Sequence, residues 1–299
     1  MSFANLKRQS GNLDKLKTAV EALSSGTETN KSENFWKPEV DKVGNGLAII
    51  RFLPAPEVDG DDSLPWVKSF THGFQGPGGQ WLIDECLTTK GQSCPICDYN
   101  STLWATGIEA NKTIVRNQKR KLSYIANVYI VSDPKHPENN GQVKLFKFGK
   151  KIFDKITAAM NPEFEDDEAI NPFDLWKGAN FKLKIRKVDG YQNYESSVFE
   201  KAGALLDDDD ELEAIWKKEF SLKEQIADSK FKSYDELQGR LNKVLGLNGE
   251  TIAPKTTVET IKEQVKKAPK FDKEDLPFEP DPVAEDDDLS YFAKLAEED

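Results

Sequence analysis

The stretch Thr71-His72-Gly73-Phe74, followed by Cys86 and then by Cys94-Pro95-Ile96-Cys97, decides how this chain is read. The 299 residues contain three cysteines and two histidines. All three cysteines fall in this window, beside one of the histidines. A Cys-x-x-Cys turn aims two thiolates at one ion. One His and one further Cys complete a tetrahedral Cys3His shell, the closed set usual for structural zinc. Thirteen residues separate His72 from Cys86, seven separate Cys86 from Cys94, and two separate Cys94 from Cys97, which makes a long first loop and a tight second knuckle. Two other readings compete. Cys94 and Cys97 as a redox pair want a helix N-terminus after a buried strand; alternatively, three buried thiols lie near an unrelated His. The gathering of every Cys near a His favours a metal. A catalytic zinc keeps one position open for water, and four soft ligands leave none. A zinc deaminase needs His-x-Glu and Pro-Cys-x-x-Cys, whereas Gly73-Phe74 follows His72 and Ser93 precedes Cys94.

The remaining composition frames this window. A hydrophobic content of 37% with 17 Phe is enough for a core, in one large domain or two small ones with tails. The charged content of 31% implies that part of the chain is unpacked. No apolar run has membrane length and no signal-peptide core is present, so a soluble, intracellular protein with no membrane partner is expected. Metal-bound thiolates fit a reducing compartment. The net charge of -11 is unevenly spread: residues 271–299 hold twelve acids and two bases, and the other residues hold 39 bases against 40 acids. A near-neutral body with an acidic tail differs from a uniformly acidic protein.

Along the chain, residues 1–25 form a basic N-terminal unit in which Leu13, Leu16, Val20 and Leu23 recur at helical spacing. Residues 26–37 read as a polar linker. Leu47 to Leu53 reads as a buried strand stopped by Pro54. Trp66–Phe70 and Gln80–Ile83 flank Gly76-Pro77-Gly78-Gly79 as a hairpin leading into the metal site. Leu122–Val131 is the longest strand expected and Val143–Phe148 another, followed by a helix over Lys151–Met160. Phe181–Val188 alternates apolar with basic residues, and Asp189-Gly190 turns it into Tyr191–Phe199. The pattern then predicts a helix over Asp207–Ala227 and a second over Ser233–Leu245, capped by Ser233 with Glu236 three residues on. Residues 248–254 look like a domain edge, and prolines and acids from Pro269 imply disorder. His136 reads as a solvated loop residue.

Three segments interleave bases with aromatics: Lys112, Arg116, Lys119, Arg120, Lys121 and Tyr124; Phe146, Lys147, Lys150 and Lys151; Lys182, Lys184, Arg186, Tyr191 and Tyr194. Cations that follow phosphates and rings that stack on bases are how single strands are held. Ordinary strands with solvated Lys and core Phe would read the same in any one segment; three in a β-rich body favour nucleic acid. Small barrels of the OB type present such a face.

At this point the chain resembles the single-stranded DNA-binding, helix-destabilising replication proteins of T-even-type phages. The resemblance lies in Asn45-Gly46-Leu47-Ala48-Ile49-Ile50-Arg51-Phe52-Leu53-Pro54, His72-Gly73-Phe74, Ser93-Cys94-Pro95-Ile96-Cys97, Lys119-Arg120-Lys121-Leu122-Ser123-Tyr124, Phe148-Gly149-Lys150-Lys151-Ile152 and Gly178-Ala179-Asn180-Phe181. It covers roughly residues 34–245, with the motifs in the same order at similar spacing. The resemblance implies an α+β, mainly β chain: an OB-fold core over 26–247 with a zinc subdomain near 64–130, a flexible arm over 1–25 and a disordered acidic tail over 248–299. It implies one structural Zn2+ held by His72, Cys86, Cys94 and Cys97. It implies DNA-facing roles for Tyr124, Phe146, Tyr191 and Tyr194, and cooperative self-association through Lys7, Arg8 and Ser10. The function implied is non-enzymatic, sequence-independent binding of single-stranded DNA in replication, recombination and repair, in the cytoplasm of an infected bacterium, with protein partners recruited by the tail. The rival readings are a zinc-containing single-stranded RNA binder, a metal-dependent hydrolase and a scaffold that binds only proteins.

Overall fold

Asn45-Gly46 turns the chain into Gly46–Phe52, whose β-branched and aromatic residues suit a strand with a buried face. A computed structural model of the protein describes residues 34–60, 62–164, 168–188 and 190–247. The chain divides into two units, Met1–Lys37 and Pro38–Asp299. The described part of the first is residues 34–37, with the short strand β1 (Phe35–Trp36). The second unit holds β2 (Gly46–Phe52), β3 (Val67–Gln75), β4 (Trp81–Glu85), β5 (Lys121–Ser132), β6 (Val143–Phe148), β7 (Phe181–Val188), β8 (Tyr191–Asn193) and β9 (Val198–Phe199). Its helices are α1 (Pro95–Ala105), α2 (Glu109–Gln118), α3 (Lys150–Met160), α4 (Asp209–Trp216) and α5 (Tyr234–Leu245). This is an α+β arrangement. The expected arm and tail lie outside the described residues.

The strands run in the order β6-β5-β2-β7-β8 through antiparallel ladders. β5 is long enough to serve three partners. Its first residues pair with β3 (Ile125 opposite Val67, Lys121 opposite Thr71), its middle with β6 (Tyr124 opposite Phe148), and its end with β2 (Ile130 opposite Ile50). The β3–β4 hairpin, which carries His72, is joined to this sheet through β5 alone among the described strands. Phe52 lies at the centre of the sheet's core. Its fully buried ring meets those of Phe148, Phe173, Phe181 and Phe199 at centroid distances of 5.5 to 6.4 Å, tilted or edge-on, as ring quadrupoles prefer.

A second core lies under the hairpin. Phe74, Leu82, Leu87 and Ile96 pack with the three cysteines and with Leu237, Leu241, Val244 and Leu245 of α5. The helix starts in a complete capping box between Ser233 and Glu236, as the sequence predicts. It is pinned to the hairpin by Asp84, a nearly buried carboxylate that pairs with Lys232 and with Arg240 Nε at 2.7 Å. The Tyr234 hydroxyl donates to Asp98 Oδ2 at 3.0 Å. Gly76 lets the hairpin turn approach α5: a Cβ there would lie 2.0 Å from the Val244 carbonyl oxygen. The cysteine-bearing part of the fold therefore includes α5, more than 130 residues beyond the last cysteine.

Two sequence expectations differ from the structure. α1 and α2 occupy most of residues 95–118, a stretch whose metal and basic motifs predict no helix. The single helix expected over Asp207–Ala227 is cut at Trp216. Asn127 on β5 takes the Phe220 backbone on both sides, at 2.8 and 3.1 Å, and the Asp59 carboxylate accepts from Leu222 N, Lys223 N and Ser221 Oγ. These bonds satisfy backbone groups that a continuing helix would have used, and residues 223–226 and 228–230 form short 3-10 turns instead.

Glu219 sits beside this connection, 6% exposed. Burial pushes its carboxyl up to about 9, and the Asp59 charge adds to the shift. An acid whose folded pKa lies above its unfolded value stabilises the fold below the unfolded value, near 4.5, and that stability is lost as pH rises towards 9. Glu219→Gln should therefore melt about 5–10 °C higher than the parent at pH 8 and close to it at pH 4. Melting curves at the two pH values check this; an equal change at both would refute the titration.

Candidate metal centre and nucleic-acid interface

His72 lies on β3 with its side chain turned into the second core. Cys86 directly follows β4. Cys94 is the N-terminal cap residue of α1, with Pro95 pre-set in helical geometry behind it, and Cys97 is one turn inside. All four are buried, and their ligand atoms lie within 4.8 Å of one another. Cys86 Sγ is 3.6 Å from Cys97 Sγ, and His72 Nε2 is 3.6 Å from both Cys94 Sγ and Cys97 Sγ. A zinc with Zn–S bonds of about 2.3 Å and a Zn–N bond of about 2.0 Å sets tetrahedral edges of about 3.8 Å between sulfurs and about 3.6 Å from sulfur to nitrogen. Three of the six edges, Cys86–Cys97, Cys94–His72 and Cys97–His72, thus match those a tetrahedral ion requires. His72 Nδ1 is 3.2 Å from the Gln118 carbonyl oxygen. A proton on Nδ1 donates there and leaves the Nε2 lone pair facing the thiols, the arrangement of a metal-bound imidazole. The Cys94–Cys97 redox reading fails on geometry: a 3-10 turn at Leu87–Lys90 and a loop, not a buried strand, precede the helix.

His72, Cys94 and Cys97 are shifted by their neighbours in the cluster. Burial, the strongest influence on His72, works against its imidazolium, yet hydrogen bonds from Cys86 and Cys94 carry it up to about 9. Cys94 is drawn down by Cys86 and Cys97, and Cys97 is pushed up by Cys86, Cys94 and burial. An ion entering here must expel these protons.

The basic residues fall into three places. Lys112 and Arg116 stand on α2, paired with Glu109 and set 5.6 and 5.9 Å from the Trp104 ring. Lys119 ends the helix, and Lys121 begins β5. Arg120, between them, is only 8% exposed. Lys147 lies on β6, where burial lowers its pKa against the pull of Glu85; Lys150 and Lys151 open α3. Lys182, Lys184 and Arg186 alternate along the outer face of β7, opposite Ile49, Leu47 and Asn193. Tyr191 and Tyr194 follow, half-buried, with the Tyr194 hydroxyl donating to Gln192 Oε1. Lys121 and Lys147 fall on adjacent strands β5 and β6, and β2 separates β5 from β7, which carries the third group.

Tyr124 and Phe146, expected on the binding face, are packed in the core at 8% and 4% exposure. Tyr124 lies flat on Phe153 of α3, centroids 3.9 Å apart, and Phe146 stacks on Phe148. Sequence reasoning missed two groups. Trp104 is half-buried between the α2 cations, seven residues after Cys97, and its neighbourhood was visible in the spacing. Lys68, exposed on β3 directly across from Tyr124, carried no signal apart from strand alternation.

The profile of the family described as "gp32 DNA binding protein like" matches residues 44–245, more than half of the chain. The chain belongs to that family. It is 37% identical over 234 residues to the single-stranded DNA-binding protein of Enterobacteria phage T2, covering 75% of this chain and 74% of the relative. It is 36% identical over 248 residues to the single-stranded DNA-binding protein of Enterobacteria phage T4, covering 78% and 79%. A shorter match, 38% over 82 residues, is to the single-stranded DNA-binding protein of Escherichia phage SV14. The matched residues of the family profile span the metal cluster and all three basic groups. None of these relatives carries an RNA-binding name.

Removal of a metal from the cluster should loosen both the hairpin and α5. One ion per chain is expected by elemental analysis, and chelation should lower the melting temperature by several degrees. Because the ligands take up protons as the ion leaves, chelation should proceed faster at pH 5.5 than at pH 8. A metal-free chain that melts like the untreated protein would rule the centre out as structural.

Proposed function

We propose that this protein binds single-stranded DNA without sequence preference, as a covering protein in phage DNA replication, and performs no reaction itself. Family membership across residues 44–245 carries the reading, together with relatives of which it spans about three quarters and whose names state single-stranded DNA binding. The basic outer face of β7 with Tyr191 and Tyr194, and the cations of α2 and the start of β5, supply the two chemistries a single strand needs. Trp104 joins them as a ring between cations. The sheet serves as an OB-type core. One Zn2+ fits the Cys3His shell, where it would supply stiffness rather than chemistry, since its four positions are taken. Residues 1–25, with Lys7, Arg8 and Ser10, act as the arm that links neighbours along the strand, and residues 248–299 act as the acidic segment that meets replication and recombination proteins. The place of action is the interior of the infected cell; among the described residues no helix is long and apolar enough to cross a membrane.

Fluorescence titration with poly(dT), poly(U) and duplex DNA tests the reading. Tight, salt-sensitive binding of poly(dT), with duplex bound far more weakly, is expected. Preference for poly(U) or for duplex would overturn it. Within that assay, Tyr191→Ala should cost about 1–3 kcal/mol and leave the salt slope unchanged. Lys184→Ala should weaken binding and lower the slope by about one.

Deleting residues 1–20 should spare binding to an oligonucleotide of one site and weaken clustering on long strands. Equal losses on short and long strands would place the arm in the DNA site instead.

A further inference from the structure

Arg120 looks in sequence like one cation of the Lys119-Arg120-Lys121 run, but its surroundings differ from those of its neighbours. It is 8% exposed, whereas Lys119 and Lys121 are half-buried. Its Nη1 donates to Thr88 Oγ1 at 2.7 Å. Its guanidinium lies over the Phe70 ring with Cζ 4.1 Å from the centroid. Thr88 Oγ1 in turn lies 3.1 Å from Cys86 Sγ. A threonine hydroxyl has one proton. With its oxygen accepting from Arg120, that proton is free to go to the sulfur, so the chain of contacts runs from guanidinium to hydroxyl to metal-ligand thiolate.

The same junction is tied to the metal shell a second time. Gln118, two residues before Arg120, presents its carbonyl oxygen to His72 Nδ1 at 3.2 Å. Lys121, one residue after it, pairs in register with Thr71, the neighbour of His72. Phe70, which carries the stacked guanidinium, accepts from Cys86 N through its carbonyl at 2.8 Å and donates to Thr89 Oγ1 at 2.9 Å. Residues 118–121 are thus held against two of the four ligands, one through a backbone carbonyl and one through a side-chain relay.

We propose that Arg120 is a positioning residue of the metal centre and not a phosphate ligand: through Thr88 it holds Cys86 in place, and through the same contact it fixes where Lys119 and Lys121 stand. The second half rests on the proposed DNA-binding function; the first half does not. A guanidinium laid on a ring, with one nitrogen donating to a half-buried hydroxyl, has that nitrogen and one face committed to the protein. Hydrogen bonds of this outer kind typically change metal affinity by about 10–100-fold when removed.

The test replaces the native ion with Co(II) in the full-length protein, which makes the thiolate charge-transfer spectrum and the rate of metal loss to a chelator readable. The variants are Arg120→Ala, Arg120→Lys, Thr88→Val and, as comparator, Lys119→Ala. Arg120→Ala and Thr88→Val should shift the Co(II) spectrum and release metal about 10-fold faster or more. They should also weaken oligo(dT) binding with the salt slope of the parent. Arg120→Lys keeps the charge but lacks the planar fork, so it should behave like Arg120→Ala. Lys119→Ala should leave spectrum and release unchanged and lower the slope by about one. If Arg120→Ala does not fold, Thr88→Val and Arg120→Lys carry the same readouts. A flattened slope for Arg120→Ala with the parent's spectrum and release rate, or rescue of DNA binding by Arg120→Lys, would make Arg120 a phosphate ligand and overturn the proposal. Parent-like spectrum and release in Thr88→Val would overturn it as well. If the parent itself fails to bind oligo(dT), the functional reading falls, and the Co(II) measurements alone decide the tie between Arg120 and the metal.

Discussion

The structure depends on the sharing of β5. One strand of twelve residues must satisfy its backbone groups with β3 at its start, β6 in its middle and β2 at its end. The pleat then dictates which side chains face which core. Tyr124 and Ala126 turn to the side occupied by Phe146 and Phe148, and Asn127 turns to the side where it captures Phe220. A slip of one residue would exchange these sets, take the Tyr124 ring off Phe148 and Phe153, and turn polar groups towards the aromatics. The hairpin that carries His72 and the sheet are thus two neighbourhoods of a single ladder, with the cysteine cluster packed at one end of it.

How much of this was legible depended on the distance over which the information acts. The ligand set was legible because its chemistry is local: thiols and an imidazole at short spacings have few other uses. The strands of the sheet were legible from alternation, as in Phe181–Val188, and α5 from its capping box. What α5 covers was not legible, since Leu237, Leu241 and Val244 show an apolar stripe without showing its partner. The break after Trp216 was hidden for the same reason. Asn127 and Asp59 lie about 90 and 160 residues from the backbone groups they satisfy, and local helical pattern could not compete with a partner it does not contain.

The site residues show the limit of reading charge from letters. Lys119, Arg120 and Lys121 are consecutive, and composition treats them alike. At the start of a strand, alternation sends the middle one to the opposite face, and here that face is the cysteine side, where Phe70 and Thr88 receive it. Tyr124 and Phe146 were misplaced by the same omission: aromatics beside cations suit a stacking surface and suit a core equally well, and α3 decides between them by bringing Phe153 onto the Tyr124 ring.

The placement of α5 on the cysteines also sets an order in time. During synthesis the ligands at 72–97 leave the ribosome long before residues 234–245, and at about 5–20 residues per second the interval is on the order of ten seconds. Through that interval the nascent chain carries its thiols without the helix that later buries them. The tight Cys94-Pro95-Ile96-Cys97 knuckle, the first turn of α1, is local in sequence and is complete before the rest of its cover has been made.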